Sequence, residues 1–202
     1  MILNKGMVRR KWKRSKDKKD TPNAMVNRRF EDTWDFLVMR RTAPEQWSDG
    51  CQLLYNIRTI GEFWGTLNNV RLKVGVDHHR FMNSPEGFAL FKEGLRPSWN
   101  TGGIGSQCVV IKANLDEKGF HHMLNNLCVL LVCNMDYIPG ALGVRVCDKT
   151  NKYRFMQRAE LWGRSDNTQF AGCALSWMNK LMKECGCSIV ETQVNVHSQM
   201  DQ

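Results

Sequence analysis

The chain predicts an α+β fold in which an antiparallel sheet is backed by three helices. Short apolar runs of strand character mostly follow one another along the chain. Three amphipathic segments of helical period are interspersed among them, and no Pro/Gly/Ser-rich linker or repeat interrupts the sequence. At 202 residues with 42% hydrophobic and 24% charged content, one packed domain plus a tail is expected.

The tail is residues 1–28 and the domain 29–202. Residues 1–30 hold eleven Lys/Arg against two acids, which accounts for the whole net charge of +9; the rest of the chain holds eighteen of each sign. The basic character therefore belongs to a solvated, disordered tail, with nuclear import or non-specific nucleic-acid contact as alternatives. No apolar run follows Met1, so no secretory signal is expected. The longest apolar stretch, Leu127 to Cys133, is too short to span a bilayer. None of the eight cysteines forms a C-x-x-C pair and several lie in apolar runs, so a reducing compartment, cytosol or nucleus, is expected, with neither disulfides nor zinc.

The elements follow in order. Trp34–Met39 and Gln52–Ile57 read as strands. Thr59-Ile-Gly-Glu62 is a capping box, after which Ile60, Phe63, Trp64 and Leu67 fall at i, i+3, i+4 and i+7 of a helix. Phe88 and Leu90 alternate in a third strand, residues 96–107 form a glycine-rich loop, and Cys108–Lys112 is a fourth strand. Asp116 is placed to cap a second helix with Phe120, Met123, Leu124, Leu127 and Leu131 on one stripe. Gly143–Cys147 and Tyr153–Trp162 make a hairpin around Asp148–Lys152. A third helix runs from about Thr168 to Glu184 with Ala171, Ala174, Leu175, Met178, Leu181 and Met182 inward; a last strand has Val190, Thr192, Val194 and Val196 at period two.

Two tryptophans fall outside these elements. Trp47 and Trp99 lie in polar stretches punctuated by Pro44, Gly50, Gly94 and Pro97. Flat, electron-rich rings on loops are either plugs or contact surfaces, and two of them suit a planar ligand.

The spacing of Trp34, Trp47 and Trp64 resembles that of the translation initiation factor 4E family, whose members bind the mRNA 5′ cap. Thr59-Ile-Gly-Glu-Phe-Trp64 resembles its T-V-E-x-F-W segment, and Phe91-Lys-Glu-Gly-Leu-Arg-Pro-Ser-Trp99 its F-K-x-G-I-x-P-x-W segment. The resemblance runs over about residues 30–196, specific in its first half and loose in its second. It implies a curved, mostly antiparallel eight-stranded sheet backed by three helices, with the cap site on the concave side. It makes Trp47 and Trp99 the pair that stacks on 7-methylguanosine, Asn100 the residue at the base edge and Trp162 the wall against the N7-methyl group. The cap phosphates fall to Arg145 and Arg158, with Lys149, Lys152 and Arg154 also eligible. Ile60, Trp64, Met123 and Leu127 become the surface for a helical Y-x-x-x-x-L-Φ segment of a 4G-type scaffold or a repressor. Implied partners are thus capped mRNA and such a protein, with no membrane, no cofactor, a monomeric state and a cytoplasmic setting that includes nuclear entry as an alternative.

The chain also departs from the family pattern. Asn100 stands where the family has Glu, Gly105-Ser-Gln-Cys108 where it has G-G-R/K-W, and Leu37 where it has Trp. An amide presents a donor to the donors of guanine, so altered cap affinity is expected. The adjacent pairs His78-His79 and His121-His122 point apart on a strand or helix and make no natural metal site. Gly102-Gly-Ile-Gly105 lacks the Gly-Lys-Ser/Thr of a phosphate-binding loop. An enzyme acting on nucleotides has no clustered carboxylates or nucleophile constellation behind it, so a non-enzyme is expected. A repressor or decoy that binds cap or partner without recruiting ribosomes is the competing reading.

Overall fold

The structure is a computed structural model that describes residues 26–40, 50–70, 85–97, 106–133, 137–151, 153, 156–184 and 188–197. Its strands are β1 (Arg29–Arg40), β2 (Cys51–Thr59), β3 (Pro85–Lys92), β4 (Ser106–Ala113), β5 (Ala141–Asp148), β6 (Gln157–Arg164) and β7 (Ile189–His197). The helices are α1 (Ile60–Asn69), α2 (Glu117–Cys133) and α3 (Phe170–Glu184). The strands form one curved sheet in the order β2-β1-β3-β5-β6-β4-β7, with every neighbouring pair antiparallel. The α+β architecture matches the expectation. The count does not: among the described residues the sheet has seven strands, not the eight implied by the resemblance.

Alternation along each strand gives the sheet two faces. One carries Trp34, Phe36, Val38, Phe88, Leu90 and their neighbours, and the three helices pack there. α1 supplies Phe63 and Leu67, α2 its stripe from Phe120 to Leu131, and α3 Phe170, Ala174, Met178 and Met182. Burying side chains of this size stabilises by about 1.5–3 kcal/mol each, so the helices are held by these stripes. The capping box is formed: Glu62 N–H donates to Thr59 Oγ1 at 3.2 Å, and Thr59 N–H to Glu62 Oε2 at 2.8 Å. Asp116 caps α2 by accepting from Gly119 N–H at 2.7 Å. The chain ahead of β1 is tied in as well, since Ile60 N–H donates to the Arg28 carbonyl at 3.0 Å.

Among the differences from expectation are one boundary and one pattern of exposure. β6 begins at Gln157 rather than Tyr153, because buried polar groups close the β5–β6 connection. Gln157 donates to Asp148 Oδ1 (3.1 Å) and Thr150 Oγ1 (3.2 Å) and accepts from Leu115 N–H (2.6 Å). Beside them Thr150 N–H donates to Asp148 Oδ1 (3.0 Å) and Met156 N–H to Thr150 Oγ1 (3.0 Å), so backbone donors that a longer ladder would use are taken by side chains. β7 is an edge strand, so Val190, Val194 and Val196 stay exposed despite their period-two spacing.

Candidate functional site

The sheet face opposite the helices carries the residues of chemical interest. The pairing register lays them in rows. One runs Asp35, Phe91, Gly143, Trp162, Cys108; the next runs Leu37, Ala89, Arg145, Glu160, Val110. Leu37, Met39, Ala89, Phe91, Cys108, Val110 and Trp162 pack into a second, smaller apolar cluster. Leu37 and Cys108, both departures from the family pattern, thus fill this face with smaller side chains than tryptophan.

A charged group is set into that cluster. Arg158, Glu160 and Trp162 are two residues apart on β6 and share one face. Trp162 Nε1–H donates to Glu160 Oε2 at 2.8 Å. Glu160, with 0% exposure, is bracketed by Arg158 Nε at 2.6 Å and Arg145 Nη1 at 3.6 Å. Arg145 also reaches Glu86 at 3.5 Å, and Lys149 Nζ pairs with the same Glu86. Burial works against the charge on Arg145, but Glu160 and Glu86 outweigh it and hold the guanidinium protonated. Burial pushes the Cys147 and Cys108 thiols up, so both are neutral.

At the other end of the row, Asp35 braces the turn that leads toward Trp99. Its carboxylate is buried and accepts from Gly94 N–H (3.0 Å), Arg96 Nη1 (2.9 Å) and Asn56 Nδ2 (3.0 Å). Leu95 N–H donates to the Lys92 carbonyl at 3.0 Å, closing a tight turn in which Gly94 takes φ +78°, a conformation that favours glycine. Burial alone would raise the Asp35 pKa; the three donors and the Arg96 charge more than reverse it and hold the carboxyl below its usual range.

Of the residues singled out from sequence, Trp47, Trp99, Asn100, Lys152 and Arg154 lie outside the described residues. Trp162, Arg145, Arg158 and Lys149 do come together on one face. Trp162 is only 2% exposed, so contact with a ligand methyl requires the side chains over it to move. Arg145 is enclosed by carboxylates rather than open as a phosphate cation. Gln107, where the resemblance has a cation, donates to the Arg164 and Asn167 carbonyls at 2.6 and 2.7 Å.

The expected partner surface is corrected in half of its members. Met123 and Leu127 are 0% and 1% exposed, because the stripe they belong to is the one α2 turns toward the sheet. Trp64 is 43% exposed, its ring edge-on to Phe63 at 5.2 Å, and Ile60, about one helical turn before it, is half-buried. Sequence reasoning missed Asp35 and Glu160. Their signal was an acid between apolar neighbours on a strand, as in Trp34-Asp-Phe36 and Ala159-Glu-Leu161, which must find donors when buried. No helix among the described residues is long and apolar enough to cross a membrane.

A curved antiparallel sheet with three helices on one face, and aromatic and charged groups on the other, defines the fold of the initiation factor 4E proteins. The chain superposes with a TM-score of 0.62 on C. elegans eIF4E-3 in complex with the 4E-binding protein Mextli and a cap analog, at 19% identity over 84% of this chain and 92% of that one. Ascaris suum eIF4E-3 with m7G cap gives 0.62 at 16% identity, covering 86% and 93%. Schistosome eIF4E with m7GpppG and 4E-BP gives 0.58 at 14%, covering 84% and 88%. Among curated proteins, Eukaryotic translation initiation factor 4E-1B of Danio rerio is 24% identical over 91 residues, 43% of this chain. The match spans 40% of that relative's length. No protein-family model matches the chain.

Proposed function

We infer that the chain is a divergent 4E-type protein. It binds the 7-methylguanosine cap of mRNA between Trp47 and Trp99 and recruits a helical partner through Trp64 for translation initiation. The observation that carries the reading is a coincidence. The 4E fold occurs in a chain that also has Trp47, Trp64 and Trp99 at the family spacing, and several solved proteins of this fold are complexes with cap or a cap analog. Methylation at N7 makes the base cationic. Stacking is worth about 1–3 kcal/mol per aromatic contact, and a desolvated cation–π contact about 2 kcal/mol.

The topology sets a condition on the two jaws. Arg40 pairs with Pro85 but Trp34 with Lys92, so the segments bearing Trp47 and Trp99 leave opposite ends of the sheet. The rows of Met39 and Trp34 are separated by about 17 Å at strand spacing. Trp47, four residues before Cys51, reaches at most about 14 Å, and Trp99, two past Pro97, about 7 Å. Their reaches sum to about 21 Å, more than the separation, which is compatible with one base held by both over the middle of the face, near Trp162 and Arg158. Asn100 then meets the base edge. Arg158, Lys149, Lys152 and Arg154 supply phosphate contacts, with Arg145 behind them holding the carboxylates.

Retention on a cap-analogue resin tests the sandwich. Trp47→Ala and Trp99→Ala are each expected to abolish retention, and full retention by either variant defeats it. The repressor reading shares the same site and Trp64; co-purification of a 4G-type scaffold supports initiation, and its absence beside a repressor supports the alternative.

A further inference from the structure

Glu160 is a fully buried acid on the ligand face, and neither the stacking nor the phosphate contacts of the proposed cap site need it. A buried carboxylate is costly unless its oxygens are matched by donors. Here one oxygen accepts a hydrogen bond and the other is held by ion pairing alone. Oε2 accepts from the Trp162 indole at 2.8 Å and faces Arg145 Nη1 at 3.6 Å, while Oε1 meets Arg158 Nε at 2.6 Å. The strand register puts Arg145 directly across from Glu160, and the two-residue period puts Arg158 and Trp162 on either side of it. An indole has one donor, so this single bond leaves its ring one preferred plane. Phe91, whose ring lies 6.3 Å away at 57°, supports the ring but cannot select that plane by polarity.

We propose that Glu160 is a positioning residue. It fixes the plane of Trp162 through the indole N–H and ties that ring to Arg158, so that base and phosphate contacts are held in one geometry. The ligand half of this statement rests on the cap-binding reading; the orientation of Trp162 does not. Because Arg158 is the more open of the two arginines, an incoming phosphate competes with Glu160 for it, while Arg145 stays behind to hold the carboxylate. Occupation of the phosphate end is therefore felt at the tryptophan.

The test records indole N–H resonances of the full chain by two-dimensional NMR for wild type, Trp162→Phe (which assigns the signal), Glu160→Gln and Glu160→Ala. Each protein is then titrated with a 7-methylguanosine cap analogue. In wild type the Trp162 N–H is expected to exchange slowly with solvent. Its signal should shift in Glu160→Gln, where a neutral acceptor replaces a charged one, and lose protection by about tenfold or more in Glu160→Ala. Cap affinity should fall by about tenfold in Glu160→Ala and recover to within about threefold of wild type in Glu160→Gln. A Trp162 signal that stays in place in Glu160→Gln overturns the proposal, and this variant decides the matter if Glu160→Ala does not fold. So does unchanged cap affinity in a folded Glu160→Ala whose Trp162 indole has lost its protection. A wild type that fails to bind the analogue removes the cap reading alone, because the ligand-free indole spectra still decide the positioning role.

Discussion

Asp35 and Glu160 are buried acids on the face opposite the helices: Asp35 draws donors from β2 and from the turn after β3, while Glu160 accepts from Trp162 on its own strand and pairs with Arg158 on that strand and Arg145 on the strand alongside. Asp35 links β1, β2 and the turn after β3 through Asn56, Gly94 and Arg96. Truncating a buried hydrogen-bonded charge costs about 1.5–3 kcal/mol; Arg96 is more than a third exposed, so its Coulomb share is small. Asp35→Asn is therefore expected to lower stability by about 1–3 kcal/mol at neutral pH, measured by urea unfolding. The folded-state pKa of Asp35 is depressed, so its contribution is full above the unfolded value of about 4 and fades as pH falls through the folded value. The gap between wild type and Asp35→Asn should accordingly narrow below about pH 4, and a gap constant with pH would contradict the assignment. Neither acid's role was legible in the sequence. A lone carboxylate in Trp34-Asp-Phe-Leu-Val-Met39 signals that a partner exists, but which distant residue supplies it is decided by strand pairing.

At the scale of elements, local chemistry was read well and long-range pairing was not. The α1 capping box needs only residues 59–62, and both of its bonds are present. The stripe on α2 follows helical period and is buried as read. The error at Met123 and Leu127 came from assigning the same residues to both the inner stripe and an outer surface, which one helix face cannot serve. The β5–β6 boundary was missed because Gln157 and Thr150 terminate the ladder through side-chain bonds that no periodicity reveals. Two predictions belong here. A Cβ on Gly87 would sit 2.1 Å from the Val146 carbonyl oxygen and 2.7 Å from Cys147 Cα, so β3 and β5 must part to admit one. Gly87→Ala should lower stability by about 1–3 kcal/mol or more in thermal melts, and an unchanged melt would show that the strands are not so close. Trp64 projects from α1 largely unburied, so Trp64→Ala should leave the melting temperature within a few degrees of wild type, since surface changes cost about 0.5 kcal/mol, while abolishing capture of a Y-x-x-x-x-L-Φ peptide. Retained capture would place the partner elsewhere.

For the whole molecule, the order of strands and helices in the sequence was enough to define an α+β sheet with one covered face. The sheet order was not, since β4 is inserted between β6 and β7 by pairings that cross half the chain. The covered face follows from the helical stripes, and the opposite face then collects whatever strand residues alternate with the core. That is why Trp162, Glu160, Arg158 and Arg145 share it, though they are spread over two strands. Trp47 and Trp99, the proposed base-stacking pair, lie outside the described residues, and their assignment rests on the sequence pattern. The central proposal is that this face and those two rings select a cationic, methylated base. Titration of the full chain with 7-methylguanosine and unmethylated guanosine cap analogues, followed by tryptophan fluorescence, tests it most directly. A cation–π increment of about 2 kcal/mol predicts tighter binding of the methylated analogue by about 30-fold. Equal affinity for the two analogues, or no quenching by either, would contradict it.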